Sequence, residues 1–259
     1  MILTFPYHDP TGKYNEIFQK NFDTLKKLFN RVCLSATPLT SENNLNFVNI
    51  LQKEGFIVYQ NNKESNIGDH FRNALKIAID YSAGDEGIFF VFIDRILFAL
   101  ESNWREKFLR DLEKKDKENF LIFERSDLAW NTHPQNYKSI ENMISNLFQM
   151  LWGKYLELNP CAIIINPNVA KKILSQSVNK TWAVWGEWIL LIINNKVLIK
   201  TQKVDWLSWE DPFWEEINSE ELKTEREKSE EETIKRIKSN LPFLSLLTEE
   251  RFLNLYKKI

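Results

Sequence analysis

Apolar positions along the chain fall into two alternating patterns. Met1 to Phe5, Arg31 to Ser35, Phe56 to Tyr59 and Ile88 to Ile93 are short, nearly continuous runs of the kind a buried strand needs. Between them, Ile17, Phe18, Phe22, Leu25, Leu28 and Phe29, then Leu45, Val48, Ile50 and Leu51, recur at helical spacing, and a further helix is predicted from about Asp69 to Ala83. Gly55 stands where a helix C-cap is expected, and Gly84-Asp85-Glu86-Gly87 turns the chain into Ile88 to Ile93. The second half predicts a strand at Phe120 to Phe123, a helix at Ser139 to Trp152, a strand-like run at Cys161 to Ile165 and a late strand at Val197 to Lys200. Glu187 to Ile193 reads equally as helix or strand.

Strands alternating with helices imply an α/β fold: a three-layer αβα, Rossmann-like, mostly parallel sheet with helices on both faces. Ligands of such sheets bind beyond the carboxyl ends of the strands. The segments predicted to lie there are Tyr7 to Gly12, Ala36 to Thr40, Gln60 to Gly68 and Asp94. After residue 215 the character changes. Ser219 to Ser239 interleaves Glu with Lys and Arg, and Leu241 to Leu247 is apolar, which predicts an exposed C-terminal helix supported by i,i+4 pairs and pinned by its apolar end, with partner or oligomer contact as the sharper reading. The expected division is therefore 1–215 as one α/β domain and 216–259 as a charged helical extension packed on it.

Composition narrows the function. With 34 basic and 36 acidic residues in 259, there is no basic excess to draw in a nucleic-acid backbone. Cys33 and Cys161, the two cysteines, sit inside apolar runs and read as buried thiols, not as a disulfide framework or a zinc site. The longest apolar stretches fall well short of the roughly 20 residues that cross a bilayer, and no charged-then-apolar leader opens the sequence, so a cytoplasmic protein is expected. Seven glycines are too few to favour a Gly-rich phosphate loop. Nine tryptophans are many, six of them late in the chain: Trp182, Trp185, Trp188, Trp206, Trp209 and Trp214. Packed core is the plainer reading of these, a sugar or base platform the sharper one. Asp205-Trp206 and Trp209-Glu210-Asp211 are further candidates for ordering a loop over the site.

Candidate chemistry gathers at the predicted ligand edge. Asp94, beyond a buried central strand, can hold a hard cation against a diphosphate. Arg72, near the start of a helix, suits phosphate recognition together with backbone donors. The three histidines, His8, His70 and His133, are too scattered in sequence to make a metal motif by spacing, and His70 reads as an ordinary helix surface residue.

Three motifs in order carry a resemblance. His8-Asp9-Pro10-Thr11-Gly12 after the first strand, the helix start Gly68, Arg72, Ala74, Leu75, and the buried run ending Phe92-Ile93-Asp94-Arg95 resemble a poorly characterised group of GT-A-fold, family-2-like glycosyltransferases over about residues 1 to 215. Thr132-His133-Pro134 and Gly186-Glu187-Trp188 resemble later segments of the same group. The resemblance implies a nucleotide-diphosphate sugar donor, an acceptor of unknown nature and a divalent metal, Mg²⁺ or Mn²⁺. It implies Asp94 as metal ligand, and Tyr7, His8, Asp9, Arg72, Asp94 and Arg95 as nucleotide or diphosphate contacts. Glu187 would be the acceptor base of an inverting transfer, with His133, Trp185 and Trp188 at the acceptor or a loop. The group's strand ends in Asp-x-Asp-Arg or similar, and here Phe92 replaces the first aspartate. That departure motivates the alternative of a degenerate module that binds nucleotide or sugar without transfer. A nucleotidyltransferase fits poorly, since the loop after the first strand holds one glycine and one lysine, and no Gly-x-Ser-x-Gly elbow supports a serine hydrolase.

Overall fold

A computed structural model describes residues 1–84, 86–113, 115 and 117–256. Asp85 of the expected turn and residues 257–259 of the expected extension lie outside them. The chain opens with β1 (Ile2–Tyr7), α1 (Asn15–Lys20), α2 (Phe22–Leu28) and β2 (Arg31–Ala36). One helix was expected over 17–29 and two are found. Asn21 separates them, its amide donating to the Ile17 carbonyl at 2.9 Å and to Glu101 at 2.8 Å, a side-chain competitor for the helical backbone. Pro38, favourable in a first turn, starts α3 (Pro38–Asn43), which no apolar period announced; α4 (Leu45–Lys53) and β3 (Ile57–Gln60) follow. Gly55, at φ +88°, makes the bend between the latter two.

The next helix, α5 (Ile67–Asp80), begins two residues before the expected Asp69 because Asn66 and Asp69 cap it reciprocally, at 3.1 and 3.0 Å. β4 (Ile88–Val91) is shorter than the run Ile88 to Ile93. Phe92 is extended, and Ile93 and Asp94 already lie in the first turn of α6 (Ile93–Glu101), whose Ile93, Ile96, Leu97 and Leu100 bury one face. Asp94 is thus a helix-start aspartate, favoured there by the macrodipole, and not the last residue of a strand.

There follow α7 (Arg105–Leu112), β5 (Phe120–Arg125), α8 (Asp127–Thr132), α9 (Gln135–Trp152), β6 (Ala162–Ile165), α10 (Pro167–Leu174) and α11 (Val184–Asn194). The ambiguous stretch 187–193 is therefore helical. β7 (Lys200–Val204) starts where the predicted late strand ends. It lies at the sheet edge with Lys200, Thr201 and Lys203 exposed, so it carries little apolar signal. The chain ends with α12 (Asp211–Glu215), α13 (Ser219–Lys228), α14 (Glu230–Leu247) and α15 (Glu250–Tyr256). The expected charged helix is split at Ser229, whose hydroxyl caps α14 by accepting from the Glu232 amide at 3.1 Å.

The seven strands form one sheet in the order β3-β2-β1-β4-β6-β5-β7. Every pairing is parallel except those of β6, which runs antiparallel to both β4 and β5. Alternation along each strand feeds two cores. Ile2, Ile88 and Phe90 face the layer built on α5, α9 and α11, while Leu3, Phe5 and Phe89 face α1, α2, α6 and α7. Thr4, buried on the α5 side, satisfies its hydroxyl by donating to the Ala74 carbonyl at 2.7 Å. Cys33 and Cys161 are buried free thiols, as expected. Among the described residues no helix is long and apolar enough to cross a membrane.

Candidate functional site

The sheet order dictates where a crevice opens. From β1 the chain builds outward through β2 and β3, then returns to place β4 on the other side of β1, so the loops leaving β1 and β4 diverge. A cavity of about 630 Å³ lies there, within the range of small-ligand sites. His8 and Thr37 come from just beyond β1 and β2, His70 and Phe71 from the first turns of α5, Phe92 from just beyond β4 and Asp94 from the first turn of α6. Lys63 and Glu42, joined at 2.8 Å, stand at the rim, and Trp182, 44% exposed, forms a free aromatic face.

Hydrogen bonds lead into the cavity from below. The Asp9 amide donates to Thr40 Oγ1 at 2.8 Å, Thr40 and Thr37 share a bond of 3.0 Å, and Thr37 Oγ1 meets His8 Nδ1 at 2.9 Å. If each hydroxyl donates onward, Nδ1 accepts and the ring proton sits on Nε2. His70 is half-buried with its Nε2 buried and unpartnered among the described residues. Burial lowers its pKa, only partly opposed by Asp69, so the ring is neutral at neutral pH. The reading of His70 as a helix surface residue is therefore corrected: it is part of the cavity.

Asp94 faces the cavity with its carboxyl raised above the usual range. Burial is the main cause; Arg95 opposes it and Asp211 reinforces it. Glu210 behind it is pushed up by burial and by the same two aspartates, against the pull of Arg95. Glu210 ends the loop after β7, and α12, which follows it, approaches the rim through Trp214, packed edge-on against Tyr14 of the cavity lining at 4.8 Å.

Several residues expected at the site are used elsewhere. Arg72 donates to the Asn179 carbonyl at 2.6 Å and to Asp69 at 2.7 Å, which spends its guanidinium on clamping the 177–181 loop to α5. Gly68 belongs to the same clamp, since a Cβ there would stand 1.9 Å from the Asn179 carbonyl oxygen. Glu187 is fully buried. It accepts from Ser177 Oγ at 2.5 Å, from the Val178 and Asn179 amides at 2.9 and 3.0 Å, and from Arg251 at 2.7 Å. With its oxygens enclosed by protein donors and none of it lining the cavity, it is not placed to deprotonate an acceptor.

Arg95 pairs with Glu210 and donates to the Ser208 carbonyl at 3.0 Å, tying α6 to the loop after β7. Asp9 is 2% exposed and closes its own loop, accepting from the Lys13 and Tyr14 amides at 2.8 and 2.9 Å. The buried Tyr7 hydroxyl meets Asp9 and Asn15, each at 3.4 Å. His133 is buried with Nδ1 2.9 Å from the Ala129 carbonyl, and burial, reinforced by Arg125 and Arg95, holds its pKa well below the ordinary value. Trp185 and Trp188 are core beneath the cavity, packed edge-on to Phe90 at 5.0 and 5.3 Å. Of the expected residues, His8 and Asp94 line the cavity. Tyr14, Thr37, Lys63 and His70 were missed. Three of them lie on segments flagged as ligand-edge loops or on α5, and nothing in their local pattern distinguished them.

Phe92, in place of the resemblance's first aspartate, is an aromatic wall: its ring lies 5.8 Å from those of Phe71 and Trp185 and 6.2 Å from Trp182. Among the described residues no group of three His, Cys, Asp or Glu side chains could hold a metal ion. Asp94 alone suits an ion that brings its other ligands as phosphate oxygens and water.

No protein-family model matches the chain, and no curated protein matches it. Solved structures do. A glucosyl-3-phosphoglycerate synthase from Mycobacterium tuberculosis, in complex with Mn²⁺, UDP and phosphoglyceric acid, aligns at a TM-score of 0.50 and 8% identity, over 77% of this chain and 66% of that one. A mycobacterial protein aligns at 0.48 and 11%, over 80% and 65%, and a second structure of the M. tuberculosis synthase at 0.47 and 8%, over 77% and 68%. This chain thus spans about two thirds of their length. At this identity the likeness to the first is one of fold: a GT-A-type sheet, mostly parallel and flanked by helices.

Proposed function

We propose that this chain is a cytoplasmic glycosyltransferase that seats a nucleotide-diphosphate sugar in the switch-point cavity, with 1–215 as the transfer domain and 216–259 as a helical extension packed on it. The observation that carries the reading is the pairing of a 630 Å³ cavity at the sheet's switch point with Asp94 facing it from a helix start. His8 and Lys63 supply N–H groups for phosphate oxygens, with His70 in the wall beside them, and Trp182 and Phe71 offer faces for a base or sugar ring. A divalent ion would arrive with the diphosphate, take Asp94 as its protein carboxylate and neutralise charge on the leaving group. In an inverting single displacement the acceptor oxygen bonds to the anomeric carbon as the bond to the diphosphate oxygen breaks, and the acceptor proton passes to a base. The clamp of Arg72 and Glu187 acts indirectly, by holding the 177–181 loop and with it Trp182.

Phe92 favours a second reading, a module that holds the nucleotide without transfer. Thermal unfolding with uridine, guanosine, adenosine and thymidine diphosphate sugars, with and without Mn²⁺, separates the two when paired with an assay for released nucleoside diphosphate. We expect one nucleotide to stabilise in a metal-dependent way, by about 2.7 kcal/mol at a hundredfold excess over Kd, and Asp94→Asn to abolish the effect. Metal-independent binding without turnover favours the module. No shift with any donor overturns the donor site.

A further inference from the structure

A second concavity opens on the same edge of the sheet, beyond β5, and shares no lining residue with the switch-point cavity. Its volume is about 320 Å³, enough for a small ligand. The floor is Glu124 and Arg125, the last residues of β5, with Glu157 beside them. Arg125 donates to Glu157 from its backbone amide at 2.8 Å and from Nη1 at 2.9 Å, and its guanidinium lies 4.5 Å from the Trp130 ring centre. The Arg125 and Glu157 side chains are only 3% and 4% exposed, so the floor is rigid and internally neutralised.

The wall is a stripe on α9. Lys138, Asn142 and Asn146 follow one another at i, i+4 and i+8 and so share one helix face. Tyr155 donates its hydroxyl to Asn142 Oδ1 at 3.1 Å, which leaves the Asn142 N–H groups as donors, and Lys138 reaches Asn131 Oδ1 at 3.1 Å. At the rim Lys203 pairs with Asp127 at 3.3 Å. The cations here already have partners: Arg125 has Glu157 and Glu141, Lys203 has Asp127, and Lys138 has the Asn131 side chain. Amides, a phenol and a carboxylate are the groups left to recognise a ligand, and these exchange hydrogen bonds with hydroxyls, as donors and acceptors at once.

We propose that this concavity binds a neutral, hydroxyl-rich ligand of the saccharide class, at a site separate from the switch-point cavity. The inference does not rest on the proposed transferase activity. A charged analogue competes with these existing ion pairs and a neutral polyol does not, while an apolar ligand leaves the amides unpaired at a cost.

Saturation-transfer NMR on the full chain tests this with glucose, galactose, maltose, trehalose and myo-inositol, alongside glucose 6-phosphate and glucosamine. We expect at least one neutral member to bind and to remain bound in excess UDP-glucose. In Asn142→Ala/Asn146→Ala its Kd should rise at least tenfold, with the chain still folded at the assay temperature by thermal unfolding, since both positions are partly or fully exposed and the one bond lost is that from Tyr155. Lys138→Met, a separate surface change, should weaken it severalfold. The proposal falls if no neutral member binds, if both variants bind as the wild type does, if UDP-glucose displaces the sugar, or if glucose 6-phosphate binds tenfold tighter than glucose.

Discussion

The switch-point cavity and the clamp between α5 and the 177–181 loop use the same kinds of residue at neighbouring places and to opposite ends. In the clamp Arg72, Asp69, Ser177, Glu187 and Arg251 bond to one another and to the loop backbone. In the cavity wall the buried His70 Nε2 has no partner among the described residues, and Asp94 keeps a carboxyl at the surface of an open space. A buried polar group that already has its partners stabilises the fold; one that lacks them costs stability and has capacity left for a ligand. Residue type and position on the ligand edge are shared by both regions. The census of partners separates them.

The strongest way to break the comparison is Glu187→Ala. It leaves Ser177 and two buried backbone amides without their acceptor and Arg251 with Glu249 alone, so unfolding in urea should show a loss of about 3–5 kcal/mol. A loss below about 1 kcal/mol would mean the clamp is not structural. Phe92→Asp comes next. It removes edge contacts worth about 0.5–1.5 kcal/mol each and places a carboxylate among rings. Stability should fall by about 2 kcal/mol, while any nucleotide shift should become more dependent on Mn²⁺. An unchanged metal response would show that Phe92 does not stand at a coordinating position.

His133 gives the pH test. Its folded pKa lies well below the ordinary value near 6.5, so as pH falls past about 6.5 the unfolded chain takes up a proton that the folded protein refuses. Stability is full above that pH and declines below it, by at most ~1.4 kcal/mol per pH unit. His133→Phe should flatten this limb in urea titrations at pH 7.5, 6 and 5; an unaltered slope would assign it to other groups. His70, lowered in the same direction by burial, contributes with the same sign. The smallest stability effect belongs to Asp94→Asn. Since burial already disfavours its charge, removing that charge should change stability by less than about 0.5 kcal/mol, or raise it slightly, while any metal-dependent nucleotide shift is lost. Loss of a full kcal/mol or more would place Asp94 with the clamp residues.

Strands that are nearly continuous in apolar residues were legible because burial on both faces imposes that composition locally, as at Ile88 to Val91 and Ala162 to Ile165. β7 was misplaced and α3 missed for the converse reason: an exposed edge strand and a short capped helix need little apolar signal. At the site, His8 and Asp94 were found because His8 directly follows β1 and Asp94 comes three residues after β4, where the strand order puts both at the ligand edge. Lys63 and His70 reach the cavity through the path of a loop and the rotation of a helix, which periodicity does not encode.

By itself the sequence determined the alternation of strands and helices, the edge on which ligands can bind and the burial of both cysteines, because each follows from hydrophobic period and chain order. Long-range packing places Gly68 and Arg72 in a loop clamp, seals Glu187 behind four donors, and makes Phe92 a wall of the cavity. The partners concerned stand far apart in sequence, Arg72 from Asn179 by 107 residues and Glu187 from Arg251 by 64. Whether a charged side chain is spent or available depends on contacts of that range, which no local pattern carries.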